Sequence, residues 1–321
     1  MKIIFAGTPK FASQHLEIVL ESNHEVLCVL TQPDRRSGRG KKVNYSPVKE
    51  LATKKNIKIL QPNTLKDQNL EKNLIDMNAD IILVVAYGLL VPKNILDIPK
   101  FGCINVHGSL LPRWRGASPM EYSILEGDKK SGLSYMQMSE GLDEGPVYET
   151  HECSINHQDS LGRLEEKLIA LSKENLNNFL GRLEKGQLKP KDQDNNLATF
   201  APKISKEILQ LDWVNQKAQK IICKINAFEP KYGAYFLLGG KRIKIHKAKE
   251  ITSLPSSIPG TMSIFENEMI ISCKDATSVQ IEIIQMEGKN KVSGQEFITA
   301  YEDLIKSHKK IEFTTITIFY S

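Results

Sequence analysis

Asn105 and His107 stand two residues apart in the stretch Gly102-Cys-Ile-Asn-Val-His-Gly-Ser-Leu-Leu-Pro-Arg-Trp-Arg-Gly-Ala-Ser118. Residues 103–106 read as a short strand. Strand side chains alternate between faces, so Asn105 and His107 project together while Ile104 and Val106 point into a core. An amide that donates a hydrogen bond beside an imidazole that gives or takes a proton is equipped for acid–base work at a polar reacting group. The chain then breaks at Gly108, turns through Ser109 and meets Pro112. α/β enzymes present reactive groups in this way, at the carboxyl edge of a sheet. A carboxylate, Asp143, follows 36 residues after His107, in the loop Gly141-Leu-Asp-Glu-Gly-Pro146. Locally each group has a plainer reading: a polar strand edge for the pair, and a cap for its own turn for Asp143. The flanking residues decide between them.

The elements that would position these groups alternate strand and helix. Lys2-Ile-Ile-Phe-Ala6 is a continuous apolar run of the buried parallel type, followed by Gly7-Thr8-Pro9 and a helix through Leu20. A second glycine is missing before Ser13, so a dinucleotide pyrophosphate could not approach the backbone, which counts against a nicotinamide or flavin cofactor. Glu25–Leu30 is the second strand, and after it Asp34-Arg-Arg-Ser-Gly-Arg-Gly-Lys-Lys42 carries five basic residues to one acid. A glycine-containing basic loop suits phosphate contacts, and equally a solvated turn. A helix is expected over 47–55, a strand over 57–60, a helix over 65–77, and a central strand over 80–87 that ends in the apolar turn Gly88-Leu-Leu-Val-Pro92. Strand 132–138 and its hairpin partner 147–153 enclose the Asp143 loop. A long amphipathic helix from Asp159 to about Leu183 buries Leu161, Leu164, Leu168, Ile169 and Leu171.

Lys185 to Thr199 is polar and without period, which reads as a linker. Residues 205–226 read as helical. Short strands then recur within 234–285, suggesting a small antiparallel barrel of oligonucleotide-binding type. Its strand Lys241-Arg-Ile-Lys-Ile turns Ile243 and Ile245 inward and Arg242 and Lys244 outward. A terminal helix over 294–306 and a β-prone run from Thr314 to Tyr320 complete the chain. The expected fold class is therefore α/β: a doubly wound, mostly parallel, Rossmann-like sheet over 1–184, a linker over 185–204, and an OB-like domain over 205–321.

The chain has 321 residues, 40% of them hydrophobic and 25% charged, as in ordinary globular proteins. No apolar run is long enough to span a membrane, and the first strand leaves no room for a targeting segment; a cytoplasmic location is expected. Five scattered cysteines without a C-x-x-C suggest neither zinc nor a disulfide framework. His151 and His157 lack partners at metal spacing. The net charge is +5, and four of those charges fall in residues 201–321, which permits a polyanionic partner there.

Three features coincide: Asn105-x-His107, Ser109-Leu-Leu-Pro112 directly after it, and Asp143 in a Gly-Leu-Asp loop. Together they resemble the folate-dependent formyltransferases. The extended run through Arg113-Trp-Arg-Gly-Ala117 resembles the branch of that family acting on initiator methionyl-tRNA. So do Phe5-Ala-Gly-Thr-Pro9, Thr31-Gln-Pro-Asp34, Ala86-Tyr-Gly88, Met136-Gln-Met138, Ala201-Pro-Lys-Ile-Ser-Lys206 and Asn226-Ala-Phe-Glu-Pro230. The resemblance implies a catalytic set of Asn105, His107 and Asp143. It implies contact of Ser109, Leu110, Leu111 and Pro112 with 10-formyltetrahydrofolate, whose pteridine would lodge against Tyr87, Gly88, Leu89, Leu90 and Val91. It also implies that Arg35, Arg36, Arg39, Lys41 and Lys42, with Arg242 and Lys244, hold tRNA. Neither metal nor NAD is expected, and a monomer is. Gly108 and Glu144 depart from the family, which more often has Pro or Ala and Thr there.

The residue types suit that chemistry. Formyl transfer to an amine passes through a tetrahedral intermediate whose oxygen becomes negative, and Asn105 offers it an N–H. His107 can donate when protonated or accept the amine proton when neutral, while Asp143 favours the imidazolium and relays the proton. Rival readings are a small amine acceptor such as a sugar nucleotide, hydrolysis of the formyl donor, and an RNA-binding module with an inert enzyme half. The basic loop and appended barrel favour a large RNA.

Overall fold

The computed structural model describes residues 1–37, 42–251, 258–308 and 311. Arg39 and Lys41 of the basic stretch and the run Thr314–Tyr320 lie outside the described residues. The chain divides into two compact units, Met1–Pro119 with Lys130–Ser154 and Glu165–Pro202, and Met120–Lys129 with Ile155–Leu164 and Lys203–Ser321.

In the first unit β1 (Lys2–Gly7), β2 (Glu25–Leu30), the short β3 (Arg35–Ser37) and β4 (Lys42–Asn44), β5 (Lys58–Leu60), β6 (Ile81–Val85), β7 (Cys103–His107), β8 (Lys130–Gln137) and β9 (Val147–Ser154) alternate with helices. These are α1 (Lys10–Leu20), α2 (Pro47–Lys54), α3 (Gln68–Asp76) and α4 (Lys93–Leu96); α5 (Pro119–Leu125) belongs from Met120 onward to the second unit, and α6 (Leu161–Glu184) is counted with the first from Glu165. The main sheet has seven strands in the order β5-β2-β1-β6-β7-β8-β9. β5 through β7 are parallel, and β8 and β9 add an antiparallel hairpin. The apolar runs have their cause in this arrangement: every residue of β6 is buried, as a parallel strand covered on both faces requires. The chain winds outward from β1 to β5 and returns at β6, so the switch of direction falls between β1 and β6. Gly7 ends β1 there, where a Cβ would stand 2.7 Å from the Ala12 Cβ and 2.8 Å from the Val85 carbonyl oxygen.

The second unit holds α7 (Ala218–Phe228) and an antiparallel sheet of β10 (Ala234–Leu238), β11 (Lys241–Ile251), β12 (Met262–Phe265), β13 (Glu268–Ser272), β14 (Ser278–Met286) and β15 (Lys291–Ser293). Strand order is β10-β11-β14-β13-β12, with β15 pairing β14. Ile243 and Ile245 are fully buried, Arg242 is exposed and Lys244 half-buried, following the alternation. The unit closes with α8 (Gly294–Ala300) and α9 (Glu302–Ser307).

Five expectations change. The basic stretch is a ribbon, with Arg35–Ser37 paired antiparallel to Lys42–Asn44, rather than a loop throughout. α3 begins at Gln68 instead of residue 65, because the Asp67 side chain accepts from the N–H groups of Asn69 and Leu70 and sets the cap. Residues 205–226 are not one helix: Asp212 accepts from the N–H groups of Val214 and Asn215 at 3.2 and 3.0 Å, a turn that stops helical growth before α7. The terminal helix breaks at Tyr301, whose φ is −132°. Of the linker read over 185–204, residues 185–202 are counted with the first unit, joined to it by the Val147–Lys191 and Arg115–Phe200 bridges. Among the described residues no helix is long and apolar enough to cross a membrane.

Inside the first unit His15 is fully buried between α1 and α6. Its Nδ1 donates to the Phe11 carbonyl at 2.8 Å, so Nε2 accepts the Ser172 hydroxyl at 2.7 Å. Burial pushes its pKa down to about 4, against the raising effect of the Phe11 carbonyl. A depressed histidine pKa favours folding of the neutral form, so its contribution is complete above about pH 6.5 and is lost as pH falls toward 4. We expect about 2–3 kcal/mol of stability to disappear from this group between pH 7 and pH 4.5. Urea unfolding at the two pH values should show that loss in the parent chain and a correspondingly smaller one in His15→Gln; equal losses in both would refute the assignment.

Candidate active site

β7 lies inside the sheet, its Asn105 opposite Val84 of β6 on one side and Met136 of β8 on the other. Both faces of the strand are covered, so Cys103, Ile104, Val106 and His107 are buried and Asn105 is half-buried. Burial, with Asp97 adding to it, pushes the Cys103 thiol up to about 12, so β7 carries a neutral thiol rather than a nucleophile. His107 is 5% exposed and its Nε2 lies 2.9 Å from the Trp114 carbonyl oxygen. A carbonyl only accepts, so Nε2 bears the proton and Nδ1 is the nitrogen presented to the site. Trp114 is held in turn: its backbone is left-handed, φ 63°, and its N–H donates to the Thr199 hydroxyl at 3.0 Å.

Asp143 reaches the same place from the other end of β7. β8 runs antiparallel to β7 and finishes with Gln137 opposite Ile104, and the Met138 N–H donates to the Cys103 carbonyl. The following loop therefore leaves beside the start of β7 and folds back over the sheet. Its carboxylate accepts the Gly116 N–H at 2.8 Å and the Asn105 amide at 3.3 Å, and lies 3.7 Å from His107 Nδ1. The last distance is too long for a direct hydrogen bond and right for an ion pair when the ring is protonated. Thus the structure brings together the three side chains expected from the sequence.

Sequence reasoning passes over Gln193, which nothing in its polar surroundings marks, yet it binds the Asp143 loop. Its Nε2 donates to the Asp143 and Gly145 carbonyls at 2.8 and 2.7 Å, and its Oε1 accepts from Arg115 Nε and Nη2 at 3.1 and 2.9 Å. Arg115, 4% exposed, also donates to Asn195 at 2.8 Å.

Other expected residues are placed less directly. The Ser109 hydroxyl closes its own turn, donating to the Arg113 carbonyl at 2.6 Å, while Leu110, Leu111 and Pro112 are half-buried. Tyr87 turns its ring into the core with Val91, leaving its carbonyl to Thr8 and Gln32; burial pushes its hydroxyl up to about 12. Gly88 is exposed, Leu89 half-buried and Leu90 84% exposed, so the surface of this turn is backbone and leucine rather than an aromatic ring. Arg35 is exposed at the base of the ribbon, and Arg36 and Lys42 contribute backbone to its pairing. Arg242 lies over the Tyr235 ring at 4.3 Å, and Lys244 Nζ donates to the Tyr232 carbonyl at 3.0 Å. Among the described residues no three His, Cys, Asp or Glu side chains are grouped to hold a metal ion.

The mostly parallel sheet and the antiparallel unit that follows it have known counterparts. Residues 1–180 match the model of the formyl transferase family, and residues 203–302 match that of the formyl transferase C-terminal domain. The chain belongs to the formyl transferase family. It is similar over 311 residues, at 40% identity and covering 97% of this chain and 99% of the relative, to the methionyl-tRNA formyltransferase of Coxiella burnetii. Among solved structures it shares its fold with WlaRD, a sugar 3N-formyl transferase crystallised with dTDP and 5-N-formyl-THF, at TM-score 0.66 and 18% identity over 90% of this chain and 99% of that one. HypX from Aquifex aeolicus in complex with tetrahydrofolic acid aligns at TM-score 0.62 and 15% identity, over 99% of this chain and 50% of that one.

Gly116 supplies the shortest of the three carboxylate contacts from a backbone with φ 120°, where a Cβ would stand 2.7 Å from the Ala201 carbonyl oxygen. Gly116→Ala should therefore cost about 1–3 kcal/mol of stability and displace the donor. Urea unfolding checks the first, and an unchanged midpoint would contradict it.

Proposed function

We propose that this chain transfers the formyl group of 10-formyltetrahydrofolate to the free amino group of initiator methionyl-tRNA, with Asn105, His107 and Asp143 carrying the chemistry. The observation that carries the reading is the meeting of the three groups: a carboxylate 3.3 Å from the amide and 3.7 Å from the ring nitrogen that faces the site. The likeness to methionyl-tRNA formyltransferase along nearly the whole chain supports the choice of acceptor. So do the basic ribbon of the first unit and Arg242 and Lys244 of the second, since phosphate contacts supply most of the affinity for RNA.

In the proposed reaction the methionyl amine attacks the formyl carbon, the carbonyl oxygen gathers negative charge, and the bond to the folate nitrogen then breaks. Asn105 spends one N–H on Asp143 and presents the other to that oxygen, which is where a fixed donor lowers the barrier most. The amine loses one proton and the departing folate nitrogen gains one. His107 handles it at Nδ1, because Nε2 is held by the Trp114 carbonyl. Asp143 stabilises the ring while it carries the extra proton. The exposed turn at Gly88–Leu90 and the half-buried Leu110–Pro112 are the surfaces against which the flat pteridine would lie. No covalent bond between the formyl group and the protein is required.

The acceptor is tested directly. Incubation with 10-formyltetrahydrofolate and charged initiator tRNA should yield formylmethionine, and an amino-sugar nucleotide should not be formylated; the reverse result would transfer the chain to the sugar-acting branch. Asn105→Ala and His107→Ala should each lower kcat by about two orders of magnitude without unfolding the chain, as loss of a fixed oxyanion donor or proton carrier does. Near-normal turnover in either would refute its role. Replacing Arg39, Lys41 and Lys42 by Gln should weaken tRNA binding and reduce the slope of log K against log salt by roughly one for each phosphate left unneutralised. Binding titrations at several salt concentrations would show an unaltered slope if these three residues do not touch RNA.

A further inference from the structure

Asp143 adopts a left-handed backbone, φ 51°, in a loop that must fold back along β7 to bring its carboxylate to Asn105. An aspartate tolerates this conformation only at some cost, and a loop closed by glycines does not hold it unaided. Two carbonyls of the loop, those of Asp143 and Gly145, converge on one amide, the Nε2 of Gln193, at 2.8 and 2.7 Å. The other end of the same amide is fixed by the two-pronged contact with Arg115, buried at 4% exposure. Reversing the amide would set its oxygen against two carbonyls and its nitrogen against a guanidinium, so one orientation alone satisfies all four contacts. Arg115 also stands next to Gly116, whose N–H binds the Asp143 carboxylate directly. One side chain thus ties the loop backbone to the stretch that receives its carboxylate.

We infer that Gln193 is a positioning residue for the transfer reaction: it sets where the Asp143 carboxylate stands relative to His107 and Asn105, with Arg115 as its anchor. This rests on the proposed role of Asp143. Both ends of the Gln193 amide are engaged by protein groups, so its removal acts on the chemical step through Asp143. A shift of the carboxylate by an ångström is enough to cost a large factor in rate while the bulk of substrate binding is untouched.

The test is a double-mutant cycle on the full chain, with steady-state and single-turnover formylation of methionyl-tRNA by 10-formyltetrahydrofolate as the readout. Gln193→Met should lower kcat about tenfold and leave KM for either substrate within about twofold, and it should have no further effect in an Asp143→Asn background. Gln193→Glu keeps the acceptor for Arg115 but turns an oxygen toward the two carbonyls; it provides a second variant if the methionine form does not fold, and should lose at least as much kcat. Full activity in a folded Gln193 variant would overturn the inference. So would an equal fall in both backgrounds, which marks a general structural role. A parent-like rate in Asp143→Asn alone would instead overturn the reading of the site, and the inference with it.

Discussion

A half-buried carboxylate has to find donors, because leaving its charge undersolvated costs more than any single neutral contact returns. Asp143, with its side chain 16% exposed, finds them on the stretch that also carries His107: the Gly116 N–H and the Asn105 amide, with the His107 ring 3.7 Å away. Much of the local architecture follows from meeting that demand. Residue 116 is glycine because the donor must be offered from a left-handed backbone pressed against Ala201. Trp114 is left-handed because its carbonyl must face back toward His107 while its N–H reaches Thr199. Strain at 114 and 143 is thereby concentrated within one hydrogen-bonded knot, where the surrounding contacts over-determine it.

The topology explains why the knot needs an outer cover. Had the sheet continued in parallel, the loop after β8 would have opened at the same edge as the end of β7. Because β8 is antiparallel, that loop opens beside Cys103 and must double back over the sheet to reach Asn105. A polar segment arriving after α6 supplies the restraint. It pairs with the start of β9 at Lys191, binds the loop through Gln193, and ends alongside Arg115 at Phe200.

That segment also marks the limit of what could be read in advance. Polarity without period signals a solvated linker, but here the polar side chains are satisfied by Arg115 and by loop carbonyls instead of water. Composition cannot distinguish the two. Asn105 and His107 were legible because strand alternation puts them on one face whatever the rest of the fold does. Asp143 was legible through family likeness alone: between glycines it reads as a turn cap, and its carboxylate does take a backbone N–H, but that of Gly116 rather than one in its own turn. The parallel sheet was plain from fully apolar runs such as Ile81–Val85, whereas helix ends at Asp67 and Asp212 depended on which backbone groups their carboxylates reached. The direction of the Tyr87 ring was not legible either, for a related reason. A strand buried on both faces has no alternation to say which way the residue beyond its end will turn, and the ring went into the core.

The placement of the carboxylate also separates this site from a catalytic triad. In a triad the acid binds the imidazole nitrogen remote from the reaction and fixes the tautomer. Here a neutral carbonyl, that of Trp114, does the fixing at Nε2, and the acid stands on the side of Nδ1, the nitrogen left open to the site. Such a carboxylate contributes nothing to ring orientation that the carbonyl has not already supplied. Under the proposed reading its effect would lie at the reacting centre itself: it would stabilise charge on the ring while the proton is in transit, and hold the Asn105 amide so that the remaining N–H meets the developing oxyanion. Under the proposed reading, therefore, one negative charge sets both the donor and the proton carrier. The precision of its position, more than its presence, is what the surrounding fold has been arranged to secure.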